Sequence, residues 1–111
     1  MSLWAEYIQE RNGMGSIETE FGFMTFGFPS KEECFIEDCY IVPAHREKGH
    51  GKVLLKKIEE IAKQNGCKYL TSFVIPSVNS TASVSMLAQL KSGFKIWGIY
   101  QNKIAMRKEL V

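Results

Sequence analysis

The stretch Ile41-Val42-Pro43-Ala44-His45-Arg46-Glu47-Lys48-Gly49-His50-Gly51-Lys52 decides how the rest of the chain is read. An apolar run stops at Pro43, because proline cannot donate to a strand ladder. A tight segment follows in which Gly49 and Gly51 lie among the cations Arg46, Lys48 and Lys52. Glycine lets a backbone approach a ligand closely, and the first N–H groups of a helix have no partner of their own. Such donors, joined by cationic side chains, make an anion site. The pattern is not a Walker A loop, since G-x-x-x-x-G-K-[ST] is absent. A dinucleotide fingerprint also fails, because the last glycine of G-x-G-x-x-G would fall on Leu54.

Downstream, Lys52 to about Asn65 is predicted as a helix. Leu54, Leu55, Ile58, Ile61 and Ala62 mark one apolar face, and the pairs Lys56–Glu60 and Glu59–Lys63 support the wet face. Gly66 is placed to stop it. Upstream, Cys34 to Val42 reads as a strand. Tyr69 to Ile75 is nearly all apolar and ends at Pro76, the pattern of a strand covered on both faces in the parallel part of a sheet. A strand-loop-helix-strand order crosses over right-handed, so these two strands are expected to be parallel neighbours.

Toward the amino terminus, Trp4 to Arg11 reads as a short helix ended by Asn12-Gly13. Ser16 to Glu20 and the aromatic, glycine-rich run Phe21 to Phe28 read as strands, with a turn at Phe21-Gly22. Toward the carboxyl terminus, Thr81 to Ser92 reads as a helix capped by Gly93. Phe94–Tyr100 and Ile104–Lys108 then form a hairpin around Gln101-Asn102-Lys103. The expected fold is α/β: one domain over residues 1–111, a mixed sheet with flanking helices.

Composition excludes more than it assigns. In 111 residues, 14 basic and 12 acidic side chains leave a net charge of +2, too even to argue for nucleic acid or a membrane surface. No apolar run approaches the length of a membrane helix, and no export signal is visible, so a cytoplasmic protein is expected. Cys34, Cys39 and Cys67 lack both the pairing of a disulfide framework and the C-x-x-C spacing of a zinc site. They are expected to be buried, reduced thiols. Asn79-Ser80-Thr81 fits the glycosylation pattern, which has no consequence without export.

Arg46-Glu47-Lys48-Gly49-His50-Gly51 resembles the [RQ]-x-x-G-x-[GA] pyrophosphate loop of the GNAT-type N-acetyltransferases. The Ile41-Val42-Pro43 run before it, the strand-helix-strand context, Asn79, and Gly93-Phe94 in the place of the family's closing "G-F" extend the likeness from about Cys34 to Lys108. The resemblance implies an acyl-CoA N-acyltransferase architecture in which the strands on either side of the loop part at their carboxyl ends. It implies acetyl-CoA as co-substrate, its pantetheine against main-chain groups of Cys39 and Ile41 and its pyrophosphate over Arg46, Glu47, Lys48, Gly49, His50, Gly51 and Lys52. Asn79 corresponds to an asparagine near the cofactor arm, or is a plain helix cap. An amine of unidentified type is the implied acceptor, with no nucleic-acid or membrane partner.

The chain departs from the family in two places. The tyrosine that many members carry four residues before the closing glycine is Gln89 here, which cannot protonate a leaving thiolate. Tyr40 and Tyr100 are the candidates to replace it. The usual first strand and an early helix are also expected to be lacking before Cys34. For the base that takes the amine proton, Glu37 is favoured over Asp38, on the expectation that strand alternation puts it on the face of Cys39 and Ile41. His45 and His50 read as loop or cofactor contacts. The alternative function is a module that binds acyl-CoA without turnover, favoured by Gln89 and the short amino-terminal half. The phenylalanine-rich stretch is expected to be core, and its uncovered part to support a homodimer.

Overall fold

The computed structural model describes residues 2–75 and 82–110. The order is α1 (Leu3–Asn12), β1 (Gly15–Thr19), β2 (Gly22–Gly27), β3 (Glu33–Ile41), α2 (His50–Gln64), β4 (Tyr69–Val74), α3 (Ala82–Lys91), β5 (Lys95–Tyr100) and β6 (Lys103–Glu109). Six strands form one sheet in the order β1-β2-β3-β4-β6-β5. All neighbours are antiparallel except β3 and β4, the pair joined through α2. The sheet is therefore mixed, as the order of elements requires.

Strand pleating sorts the side chains into two faces. On one, Phe26, Cys34, Ile36, Leu70, Val74 and Met106 pack against Leu54, Leu55, Ile58 and Ala62 of α2 in the main core. Leu54, Ile58, Leu70 and Met106 are the largest side chains withdrawn completely from water. The apolar spacing of α2 is thus spent on this face, and Glu59 reaches the sheet through an ion pair with Lys108. α3 covers the same face: Met86 packs against this core, and Gln89 accepts a hydrogen bond from Ser72 of β4.

The other face is covered only in part. Trp4 of α1 meets Phe23 of β2 with ring centroids 4.6 Å apart, and Thr25, next to it on β2, is buried. Ser2 caps α1, its hydroxyl accepting from the Ala5 N–H at 3.1 Å and donating to Glu18 at 3.0 Å. Beyond β3, on this same face, Phe73, Trp97 and Tyr100 stay exposed.

The expectation that the phenylalanine-rich stretch is core holds for Phe26, which is buried, while Phe23 packs on Trp4, Phe21 stacks on His45 and Phe28 is exposed. Three details differ from what the sequence led us to expect. Exposed apolar surface gathers on the edge strand β5 instead, at Ile96, Trp97, Ile99 and Tyr100. Phe21 is not in a strand; with Glu20 it forms the β1–β2 turn. Gly22 follows because a Cβ there would lie 2.1 Å from the Tyr40 carbonyl oxygen. Finally, all three cysteines are free, but Cys39 is exposed, since it lies where β3 has lost its neighbour on one side.

Candidate active site

The site is built on the separation of β3 from β4. Their parallel pairing runs only through Glu33–Tyr69, Cys34–Leu70 and Phe35–Thr71. β3 continues to Ile41 and β4 to Val74, so beyond Phe35 the β3 edge facing β4 has no strand partner among the described residues. Backbone N–H and C=O groups are obligatory hydrogen-bonding groups, and a gap lined by them suits an extended polar ligand. Cys39 and Ile41, both expected at this cofactor position, lie on the unpaired length. Their β2 partners are Met24 and Gly22.

The loop after β3 is held from several directions. The Val42 N–H donates to the Phe21 carbonyl at 2.8 Å, and the His45 N–H donates to Val42 at 2.9 Å. Arg46 Nε donates to the Ile41 carbonyl at 2.8 Å, and its guanidinium lies 5.6 Å from the Tyr40 ring centroid. One of the five donors of Arg46 is therefore engaged in closing off β3, and the others reach outward from an exposed residue. Phe21 stacks on His45 at 4.1 Å and on His50 at 4.5 Å, so both histidines brace the loop against the β1–β2 turn.

At the helix entrance Glu47 and Gly49 both take left-handed backbone, with φ of 61° and 87°. The turn leaves Gly49 as the N-cap of α2, and among the described residues no side chain caps the helix. The first helical bond there runs from the Val53 N–H to the Gly49 carbonyl. The N–H groups of His50, Gly51 and Lys52 precede that ladder. An ideal Cβ on Gly51 would meet no atom within 4 Å, so space lies open above these donors. Lys48 and Lys52 are exposed beside them. The loop fits a diphosphate in both charge and access.

Glu37 lies at an irregularity. The β2–β3 register passes from Thr25–Asp38 to Phe26–Ile36 and skips Glu37, which is the extra residue of a β-bulge. Alternation is interrupted there, so the expectation that Glu37 shares the face of Cys39 and Ile41 by simple parity does not hold. A bulge re-aims a side chain, and Glu37 is exposed at the point where the gap opens. Asp38 is engaged through its backbone, whose N–H donates to the Thr25 hydroxyl at 3.0 Å. Desolvation, and then the Asp38 carboxylate, push the Cys39 thiol above its ordinary range.

Gln89 does not stand free in the position of the missing tyrosine. Its side-chain oxygen accepts from the hydroxyl of Ser72, the first β4 residue beyond the paired segment. Tyr40 and Tyr100 lie on the opposite face of the sheet from this pair. Tyr40 stands opposite Phe23, and Tyr100 lines an aromatic groove with Trp97 and Phe73. The structure therefore brings neither tyrosine beside Gln89. Asn79 lies outside the described residues. The bulge, the histidine stack and the Ser72–Gln89 bond were not read from sequence. In the sequence, only the adjacent carboxylates Glu37-Asp38 interrupt the apolar alternation where the bulge falls.

Residues 3–91 match the family model described as acetyltransferase (GNAT) family. The chain belongs to the GNAT family. No match was found among curated proteins. Solved GNAT-like structures share the fold at low identity. PaiA N-acetyltransferase from Thermoplasma acidophilum, in complex with coenzyme A, aligns with a TM-score of 0.75 at 21% identity. That alignment covers 94% of this chain and 67% of the other. A GNAT family acetyltransferase from Elizabethkingia anophelis with acetyl-CoA bound gives 0.74 at 18% identity, over 95% of this chain and 82% of the other. The GNAT match extends the likeness read from the sequence toward the amino terminus, taking in α1, β1 and β2. Among the described residues no helix is long and apolar enough to cross a membrane.

Proposed function

We propose that this GNAT protein, working as one domain over residues 1–111, transfers the acetyl group of acetyl-CoA to a primary amine by direct attack. The observation that carries the reading is the pairing of an unpartnered β3 edge with a glycine-bearing helix entrance. The pantetheine arm would run along Cys39 and Ile41, and the pyrophosphate would rest on the N–H groups of Gly49 to Lys52 with Lys48 and Lys52 beside it. Fold neighbours with acetyl-CoA or coenzyme A bound support acetyl-CoA as the co-substrate.

In this reading the amine nitrogen attacks the thioester carbonyl, a C–N bond forms, and the C–S bond breaks. Backbone donors on the unpaired β3 edge face the oxygen that gains charge. Glu37 takes the amine proton, directly or through one water. The thiolate leaves without a tyrosine acid at the Gln89 position, and its proton comes from solvent. Because a thiol with a pKa of about 8.5 is a far stronger acid than an alcohol, its thiolate can depart unprotonated near neutral pH.

A second reading, binding of acyl-CoA without turnover, is favoured by the Ser72–Gln89 bond, which puts an amide where an acid would stand. The two separate in one experiment: acetyl-CoA affinity by calorimetry beside thiol release with a panel of amines. Binding with release dependent on added amine supports the transferase. Binding with no release supports the module. The protein is also proposed to pair with a second copy through the edge strand β5.

A further inference from the structure

The uncovered face of the sheet carries a groove of about 590 Å³ that runs up to the mouth of the β3–β4 gap. Phe35, in the last β3–β4 pair, and Phe73, two residues further along β4 than its partner Thr71, meet edge to face at 5.6 Å. Trp97 and Tyr100 of β5 line the same groove. With α2 and α3 on the opposite face, this is the side from which a second substrate reaches the gap without crossing either helix. Its size falls in the range of small-molecule sites.

The charged groups in the groove already have partners of their own. The Arg107 guanidinium lies 3.7 Å from the Tyr69 ring centroid and 4.1 Å from that of Trp97, and its Nε donates to Glu109 at 2.9 Å. The Glu33 carboxylate accepts from the Thr71 hydroxyl. An anionic substituent would meet the Glu33 carboxylate, and a second cation would meet Arg107. At the mouth, the Lys103 ammonium stands 5.3 Å from the centroid of Phe73. A primary ammonium at the end of an apolar stem is thus already accommodated on the ring nearest the gap.

We propose that this groove is the acceptor site and selects a primary amine carried on a flat, uncharged aromatic body. Phe35, Trp97 and Tyr100 would hold the body, and the amine would displace Lys103 from Phe73. Ring faces attract the ammonium as it arrives. The proton then leaves to Glu37, after which the neutral nitrogen attacks. The inference rests on the transferase reading, since it assigns that reaction's second substrate.

The test compares four amines with the full chain and acetyl-CoA: 2-phenylethylamine, an n-alkylamine of matched length, 4-(2-aminoethyl)benzoate and a linear diamine. 2-Phenylethylamine is expected to have a kcat/KM about tenfold or more above each of the others, the scale of a lost ring contact. Trp97→Ala should raise its KM by about tenfold with kcat and acetyl-CoA affinity unchanged. Lys103→Gln should lower that KM about two- to fivefold, because it removes the internal competitor for Phe73. A structural role alone would not produce that gain. Equal kcat/KM for all four amines, or Lys103→Gln leaving KM unchanged, overturns the assignment. If acetyl-CoA binds and no amine reacts, the transferase reading fails. Calorimetry of the same amines on the CoA-saturated chain then judges the groove. Selective binding of 2-phenylethylamine, lost in Trp97→Ala, upholds it, and equal or absent binding of the four refutes it.

Discussion

Gly51→Glu is expected to remove acetyl-CoA binding without harming the fold, and the structure gives both magnitudes. Gly51 is the second residue of α2, and an added Cβ there meets no atom within 4 Å. Its backbone is not among the positive-φ residues, unlike Gly49 at 87°. Replacing a helical glycine by glutamate gains about 0.5–1 kcal/mol of helix propensity, and a carboxylate in the first turn adds about 0.3–1 kcal/mol from the dipole. The folded protein should therefore be unchanged or slightly more stable in urea. Binding moves the other way. A carboxylate about 6 Å from a diphosphate carrying two charges costs about 1.4 kcal/mol if the site has the dielectric of water and about 5.5 kcal/mol at an effective value near 20. The loss in affinity is then about tenfold at the least and about 10⁴-fold at most, before any steric term. Calorimetry with acetyl-CoA, beside urea unfolding of both proteins, reads the two effects separately. A variant as stable as the parent with unchanged affinity would refute the loop assignment. Gly49→Glu is the poorer test, since its left-handed backbone adds strain of about 1–2 kcal/mol.

Glu37→Gln should leave acetyl-CoA affinity near normal while transfer falls about 10²–10⁴-fold near neutral pH. Partial recovery is expected at higher pH, where the amine loses its proton unaided; unchanged turnover would remove Glu37 as the base. Burial first, then Cys67 and Glu33, push the Cys34 thiol from 9.0 up to about 12. The folded state keeps this proton between those values while the unfolded chain loses it, so stability is constant below about pH 9 and then declines by about 1.4 kcal/mol per pH unit. Urea melts from pH 8 to 11 should show a shallower decline in Cys34→Ala, and an identical slope would contradict the assignment. For association, Ile99 is 72% exposed on the β5 edge. Light scattering at about 50 μM, a concentration that populates a weak interface, should find a dimer for the parent and a monomer for Ile99→Lys. A monomeric parent would end the proposal.

Much of the fold was legible because each element is locally consistent. α2 announces itself through Leu54, Leu55, Ile58 and Ala62, all of which the structure buries. The apolar run of β4 marked a strand beside β3, but the reading that it is covered on both faces fails: Leu70, Ser72 and Val74 are buried on one face, while Phe73 on the other is exposed. The parallel β3–β4 pair followed from topology. What stayed hidden depends on exceptions to periodicity. A bulge shifts the register at Glu37, and no propensity rule places one extra residue in a strand of nine. Phe21, Phe23, Phe26 and Phe28 look alike in sequence, yet turn position, ring partners and sheet face give them different fates. The aromatic groove draws Phe35 from β3, Phe73 from β4 and Trp97 from β5, so only the strand order brings it together. The bond between Ser72 and Gln89, 17 residues apart, is equally a product of packing rather than of local pattern.

The central claim, acetyl transfer from acetyl-CoA to an amine, is tested most directly by following the acetyl group itself. The chain is incubated with acetyl-CoA isotopically labelled in the acetyl group and with 2-phenylethylamine or another accepted amine. Mass spectrometry then follows the label while free thiol is measured in the same samples. The account predicts one labelled N-acetylamine for each thiol released, at a rate proportional to protein and reduced in the binding-deficient Gly51→Glu at subsaturating acetyl-CoA. Acetyl-CoA bound with normal affinity but left intact across a broad range of amines would contradict it.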